Sequence, residues 1–246
     1  MMLKGKGSTT THGQTTGETR ILTIGRTHTL AEGFRQLVAN HVRNDIPIDT
    51  TSYSHLPQKN QHSSSYRAIF VIIDSPHAFL ESLAVVENVR AENLTPIISV
   101  IMTGRGTYNK MKYHLAGADH CIKFSSVPDE NVEVLSDFFC STEWQREISL
   151  VLDPTRMCLH GLDQKLEISF AEMKVLEALT HTKNHILSHD EIASVMGLNI
   201  NFYDPRALEK SISRLRGKIK STYGTNAIQS IRGHGYRLSR GLISSS

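Results

Sequence analysis

With 246 residues, the chain is long enough for two domains of ordinary size that each bury their own core. Its 39% hydrophobic and 21% charged content is that of a globular protein. The longest apolar runs, Ala68 to Ile73 and Pro96 to Met102, fall far short of the roughly 18 residues that cross a bilayer, so no membrane span and a cytoplasmic location are expected. The net charge is only +3, and its distribution is more informative than its size.

Residues 1–19 are rich in Gly, Thr and Ser and lack the apolar stretch of a secretion signal, so a disordered lead-in is expected. Cys121, Cys140 and Cys158 are odd in number, far apart and without metal-ligand spacing, which suggests buried thiols in a reducing compartment. The thirteen histidines form no H-x-x-x-H or Cys/His cluster on a convincing helix. Neither a metal nor a cofactor is expected.

From Arg20 to about residue 140, short apolar runs alternate with amphipathic stretches. Ile21–Ile24, Ala68–Ile73, Ile97–Met102 and His120–Phe124 read as strands, while Leu30–Val42, Phe79–Val89, Tyr108–Ala116 and Asp129–Phe139 read as helices. This alternation predicts βαβ units and a five-stranded parallel sheet covered on both faces, an α/β flavodoxin-like domain. Ile48–Tyr53 is a weak second strand, followed by a polar run to Ser65 that predicts a shortened helix or a loop.

Residues 141–146 read as a linker. Glu147–Leu152, Met157–His160 and Lys165–Ile168 are strand-like runs separated by turn residues and predict a small antiparallel sheet. Ser169 with Glu172, and Ser188 with Glu191, have the spacing of capping boxes that open two helices. Gly197 ends the second.

Asp204 and Pro205 specify the start of a third helix and Tyr223-Gly224 its stop. Leu208, Ile212, Leu215 and Ile219 stack on one face. Arg206, Lys210, Ser213, Arg214, Gly217 and Ser221 lie opposite, a face that is basic and small and free of acids. Beyond it, Ala227–Arg232 and Tyr236–Leu238 flank Gly233-His234-Gly235, which predicts a hairpin. Between residues 203 and 240, nine Lys or Arg oppose two acids, a local excess of +7 that leaves −4 for the rest of the chain. Such concentration is what a phosphate-backbone binder requires.

Arg206, Leu208, Glu209, Ile212, Arg214, Leu215 and Arg216, followed by Ile231-Arg232-Gly233-His234-Gly235-Tyr236-Arg237, resemble the recognition helix and wing of the OmpR/PhoB winged-helix response regulators. In front of them, Leu115-Ala116-Gly117-Ala118-Asp119 resembles the segment before the fifth strand of that family's receiver domain, and Pro96-Ile97-Ile98 the start of its fourth strand. The resemblance implies a receiver-like domain over 20–140 and an α+β winged helix-turn-helix domain over 147–242. It also implies that the sheet before the helices seats the wing, that the surface from about Asn109 to Phe139 pairs two subunits, and that Leu198–Tyr203 meets RNA polymerase.

The departures from the family concern the phosphorylation pocket. A receiver holds Mg²⁺ with acids after its first strand, since a hard cation needs carboxylate oxygens. Here Gly25-Arg26 stand there. Anchoring on Pro76 puts Ile72 in the phosphoacceptor position, whereas anchoring on the end of the apolar run puts Asp74 there, and both registers remain open. Thr103 and Lys123 match the hydroxyl and lysine positions, but the proline after the lysine is lost. Without the cation, phosphoryl transfer lacks neutralisation of its developing charge, so a degenerate, phosphorylation-independent receiver is expected.

The resulting expectation is a non-enzymatic, sequence-specific transcription regulator that binds double-stranded DNA as a homodimer on paired half-sites. Arg206, Lys210, Ser213 and Arg214 would face bases. Arg216, Lys218, Lys220 and Ser230 would meet phosphates, Arg232 would reach the adjacent minor groove, and His234 at the wing tip would also contact DNA. Tyr236 would pack the wing, and Glu209 would pair with a neighbouring arginine. The alternative within the class is a conventional two-component regulator phosphorylated at Asp74. A flavodoxin-like enzyme and a protein-binding adaptor are the other classes. The enzyme finds only Asp74, Thr103 and Lys123 to work with, and the adaptor would use the basic face on an acidic partner.

Overall fold

The computed structural model describes residues 20–42, 46–56, 66–92, 96–145 and 148–245; the expected lead-in lies outside them. The front half is a five-stranded parallel sheet in the order β2-β1-β3-β4-β5. Its strands are β1 (Arg20–Gly25), β2 (Ile48–Ser52), β3 (Tyr66–Ile73), β4 (Ile97–Met102) and β5 (His120–Lys123).

Alternate side chains of β3 supply two separate cores. Ala68, Phe70 and Ile72 pack with Phe34 and Val38 of α1 (His28–Ala39) and with Leu135, Phe138 and Phe139 of α4 (Pro128–Cys140). Ile69, Val71 and Ile73 pack with Val85, Val86 and Val89 of α2 (Phe79–Glu92) and with Tyr113 and Ala116 of α3 (Lys110–Ala116). The period-2 pleat, buried on both faces, accounts for the continuous apolar runs. After β2 the chain makes a 3₁₀ turn, Tyr53–His55, and residues 57–65 of the expected loop lie outside the described residues.

The expected linker begins as a helical turn, α5 (Thr142–Gln145), held against the first domain. Trp144 is buried on Phe138 and Phe139, and the Arg67 guanidinium lies 4.5 Å from its ring centroid and donates to its carbonyl. The buried thiols expected from composition are found only in part, since Cys158 is buried but Cys121 is intermediate and Cys140 exposed.

The second half opens with antiparallel β6 (Leu150–Asp153), β7 (Cys158–His160) and β8 (Lys165–Glu167). A strand beyond the expected end at 242, β12 (Ile243–Ser245), pairs parallel with β6 and completes the order β12-β6-β7-β8. Three helices follow the first strands: α6 (Phe170–His181), α7 (His189–Val195) and α8 (Pro205–Tyr223). Both capping boxes form, Ser169 with Glu172 and Ser188 with Glu191, so each helix start has its orphan amides satisfied from the side chain.

The wing is the hairpin of β10 (Ile228–Ile231) and β11 (Gly235–Leu238). Its seat differs from the expectation. It pairs with β9 (Ile186–Ser188), a three-residue strand between α6 and α7, in a separate sheet ordered β10-β11-β9, and not with the four-stranded sheet. Gly235 is required there because a Cβ would collide with the Leu187 carbonyl of β9. Among the described residues no helix is long and apolar enough to cross a membrane.

Candidate nucleic-acid interface

Helix α8 starts where the sequence predicts. The Asp204 carboxylate accepts from the Arg206 amide at 2.9 Å, Pro205 takes the first turn, and Gly224 closes the helix at φ 71°. Leu208, Ile212, Leu215 and Ile219 are all at most 2% exposed, in one core with α6, α7 and both sheets. Burial of that stripe fixes the rotation of the helix, so Arg206, Lys210, Ser213, Arg214 and Lys220 face outward and are exposed.

The nine basic residues divide into two groups. Arg206, Lys210, Arg214, Lys220 and Arg232 are exposed and make no ion pair among the described residues. The other four have partners within the protein. Arg216 donates to the Ser230 hydroxyl at 2.8 Å and stacks over Tyr236 with its guanidinium carbon 5.2 Å from the ring centroid, which ties the recognition helix to the wing. Lys218 donates to Glu172 at 2.8 Å. Burial alone would raise the Glu172 carboxyl, but Lys218 and Ser169 together hold it below its usual range. Arg237 and Arg240 are committed to the front domain.

At the wing tip Arg232 is exposed beside Gly233 at φ 75°, and His234 is half-buried. Tyr236 is buried in the core, edge-on to His189. Glu209 is exposed and makes no ion pair among the described residues, so the expected pairing with an arginine is not found.

In the front domain, the carboxyl ends of β1 and β3 meet where the strand order reverses, the place where open α/β sheets carry their sites. Gly25 is buried at the end of β1, followed by Arg26, which donates to Asp74 at 3.1 Å. Asp74 directly follows β3, whereas Ile72 is 1% exposed in the core and paired with Ile101. The polar edge therefore carries Asp74 and not Ile72. Thr103 donates to the Ile73 carbonyl at 3.3 Å, and Lys123 to the Gly106 carbonyl at 2.9 Å, so neither side chain is bonded to Asp74.

A polar cluster that the sequence reading did not assemble joins the two halves. Asp119 is 2% exposed and accepts from Arg90 at 2.6 Å, Arg237 at 3.0 Å and Arg240 at 3.1 Å. It also takes the Ile98 amide at 2.9 Å. Burial alone would raise its carboxyl, but the three guanidiniums outweigh that and hold it below the usual range. Burial pushes Arg90 down to about 10, which leaves it charged at neutral pH. Nearby, Asn184 donates to the Leu115 carbonyl at 2.8 Å. The signals were in plain view, Asp119 in one short motif and Arg237 in another, but nothing in either motif says that they meet.

A parallel α/β domain followed by three helices and a strand-seated wing defines a class: a five-stranded α/β front half joined to a winged-helix C-terminal domain. Residues 163–238 match the family model described as "Transcriptional regulatory protein, C terminal". The chain is 25% identical over 227 residues to the response regulator ArlR of Staphylococcus saprophyticus, covering 89% of this chain and 98% of that protein. It is 33% identical over 83 residues to the transcriptional regulatory protein YxdJ of Bacillus subtilis, covering 34% of this chain and 36% of that protein. It thus spans nearly all of the first relative and about a third of the second. Among solved structures, the C-terminal domain of the nisin resistance regulator NsrR, a lantibiotic response regulator, is 27% identical with a TM-score of 0.31, covering 40% of this chain and 95% of that one. The chain is thus similar to response regulators over most of its length and to transcriptional regulatory proteins over its C-terminal domain.

Proposed function

We propose that this protein is a sequence-specific transcription regulator of the OmpR/PhoB type that binds double-stranded DNA and works without phosphoryl transfer. The observation that carries the reading is the exposed cationic face of α8, with Arg232 at the tip of the adjoining wing, on a domain that matches a transcriptional-regulator family model. The helix enters the major groove, where Arg206 and Arg214 have the reach and the forked donors for guanine and Ser213 can contact a base edge. Lys210 lies on the same base-facing side, Lys220 neutralises phosphates, and Arg232 enters the neighbouring minor groove, whose potential favours arginine.

Arg26 supports the phosphorylation-independent part. Its guanidinium is bonded to Asp74 on the side where a receiver would hold a divalent cation, so it repels that cation and blocks one carboxylate oxygen. The alternative, phosphorylation at Asp74, draws on the location of that carboxylate at the sheet edge.

Dimerisation on half-sites about 10 bp apart supplies the affinity that one small module lacks. The face proposed to pair subunits, residues 109–139, also carries Leu115 and Asp119, both engaged by the C-terminal domain. Full use of that face therefore requires undocking. Ile200 and Phe202, exposed by 53% and 86% in the loop before α8, are the apolar contacts offered to RNA polymerase.

Selection of sites from a random duplex pool with the full chain tests the reading. A repeated, spaced motif is expected. A pool left unenriched after several rounds, with binding that depends on salt alone, would refute sequence-specific recognition.

A further inference from the structure

We propose that the β6–β7 hairpin, on the face opposite to core residues Leu152 and Leu159, binds a divalent transition-metal cation of the Zn²⁺ class through Asp153, Cys158 and His160. Among the described residues, these form the one group of His, Cys and acidic side chains whose ligand atoms converge, all lying within 4.8 Å of one another.

Strand geometry creates the convergence. The register sets Asp153 directly opposite Cys158, and directly opposed residues share a face. Two positions along β7, His160 falls on that same face, while Leu152 and Leu159 point the other way into the core. The turn between the strands passes through Met157 at φ 49° and is closed by the Arg156 amide, which donates to Asp153 Oδ1 at 2.9 Å. That bond orients the carboxylate and leaves Oδ2 with only a loose pairing at 3.8 Å to Arg156, a side chain 72% exposed. A cation can displace such a pair at little cost.

The ligand chemistry selects the metal. Sγ of Cys158 stands 3.1 Å from Nε2 of His160. In a tetrahedral Zn²⁺ site with bonds of about 2.3 Å to sulfur and about 2.0 Å to nitrogen, that edge opens to roughly 3.6 Å, a small side-chain rotation. One thiolate, one imidazole and one carboxylate suit Zn²⁺ or Co²⁺ and are a poor set for Mg²⁺ or Ca²⁺. Binding releases the thiol proton to solvent. The fourth position falls to water or to Glu167, which stands opposite Cys158 on β8 and is 86% exposed beyond its 3.7 Å contact with Lys165. The cation would clasp the turn at the base of the C-terminal domain, well apart in role from the DNA-facing residues. Neither the spacing of the three cysteines nor an H-x-x-x-H helix marks the site, because this set combines a turn-flanking acid with a Cys-x-His strand.

Titration of the full chain with Co²⁺ under a non-thiol reductant tests the site without reference to DNA. The expected result is a tetrahedral d–d spectrum with a sulfur-to-cobalt charge-transfer band, reversed by Zn²⁺. The band should be retained in Cys121→Ser and Cys140→Ser and lost in Cys158→Ser. Because Cys158 is fully buried, the half-buried ligands give an independent check: His160→Gln and Asp153→Asn should each weaken Co²⁺ binding by more than about tenfold. An octahedral, sulfur-free spectrum in the parent protein overturns the proposal. So does unchanged affinity in both His160→Gln and Asp153→Asn.

Discussion

Arg237, in the wing strand, donates from Nη1 to Asp119 Oδ1 at 3.0 Å across 118 positions of the chain. Both side chains are almost fully buried, at 1% and 2% exposure. Arg237 is held from its other side by Gln229 at 2.7 Å, so the strand that carries the wing is also the strand that docks the front domain. A buried pair of this kind adds little net stability, but removing one partner leaves the other charge buried and unpaired. Here the relationship links the two halves mechanically.

Loss of Asp119 should therefore be severe. Asp119→Ala leaves Arg90, Arg237 and Arg240 without their shared carboxylate and is expected to cost about 3–5 kcal/mol by urea unfolding. Arg237→Met, which removes the charge and keeps the volume, should cost less and should loosen the docking. Limited proteolysis within residues 141–148 reports it, with Trp144 fluorescence as a second probe. If both variants keep the parent's protease resistance and stability, the contact is not what joins the domains.

DNA affinity should follow the division of the basic residues and not their number. Arg232→Ala and Arg214→Ala are each expected to weaken cognate binding by about 1–3 kcal/mol and to reduce selectivity. Lys220→Ala should weaken all sequences alike and lower the salt slope by about one. Lys218→Ala should change affinity little, because its ammonium is already spent on Glu172. A gel-shift series in which Lys218→Ala is as damaging as Arg232→Ala would contradict this assignment.

Intact-mass measurement after incubation with acetyl phosphate and Mg²⁺ should find no added phosphoryl group on the parent chain. Arg26→Asp, which frees Asp74 and restores an acid near the cation position, should increase Mg²⁺ affinity. A stoichiometric mass increase in the parent would favour the conventional, Asp74-phosphorylated reading.

Acidification should weaken the fold in two stages. Burial, with the Arg237 charge adding to it, pushes His114 down to about 4 from an ordinary 6.5, and His185 is lowered by burial as well. The unfolded chain then binds more protons than the native one, so stability falls as pH drops from 6.5 toward 4. The His114 contribution is about 2 kcal/mol between roughly pH 7.5 and pH 5. Asp119 has the opposite origin, since its folded carboxyl is held below its ordinary 3.8; its contribution is intact above that value and is lost below it. Urea titrations across this range should show a reduced upper-stage slope in His114→Gln, and an unchanged slope would remove His114 from the account.

Local rules were sufficient wherever one element decides its own geometry. The caps at Asp204, Ser169 and Ser188, the four-residue stripe of α8, and the alternating faces of β3 follow from side-chain periodicity and from orphan backbone amides, which are visible in any short window of sequence. The +7 excess near the carboxyl end was equally legible, because charge needs no partner to be counted. Which of those charges remain free was not legible. Arg216, Lys218, Arg237 and Arg240 are each neutralised or held by a residue from another element, and a formal charge carries no record of the distance to its counter-ion. The same holds for the seat of the wing on β9, for the choice of Asp74 over Ile72 at the sheet edge, and for the gathering of Asp153, Cys158 and His160. Sequence alone determined the elements and the faces they bury. Tertiary structure decided which polar groups meet, because desolvation forces each buried charge to find a partner and only the packed chain determines which one is in reach.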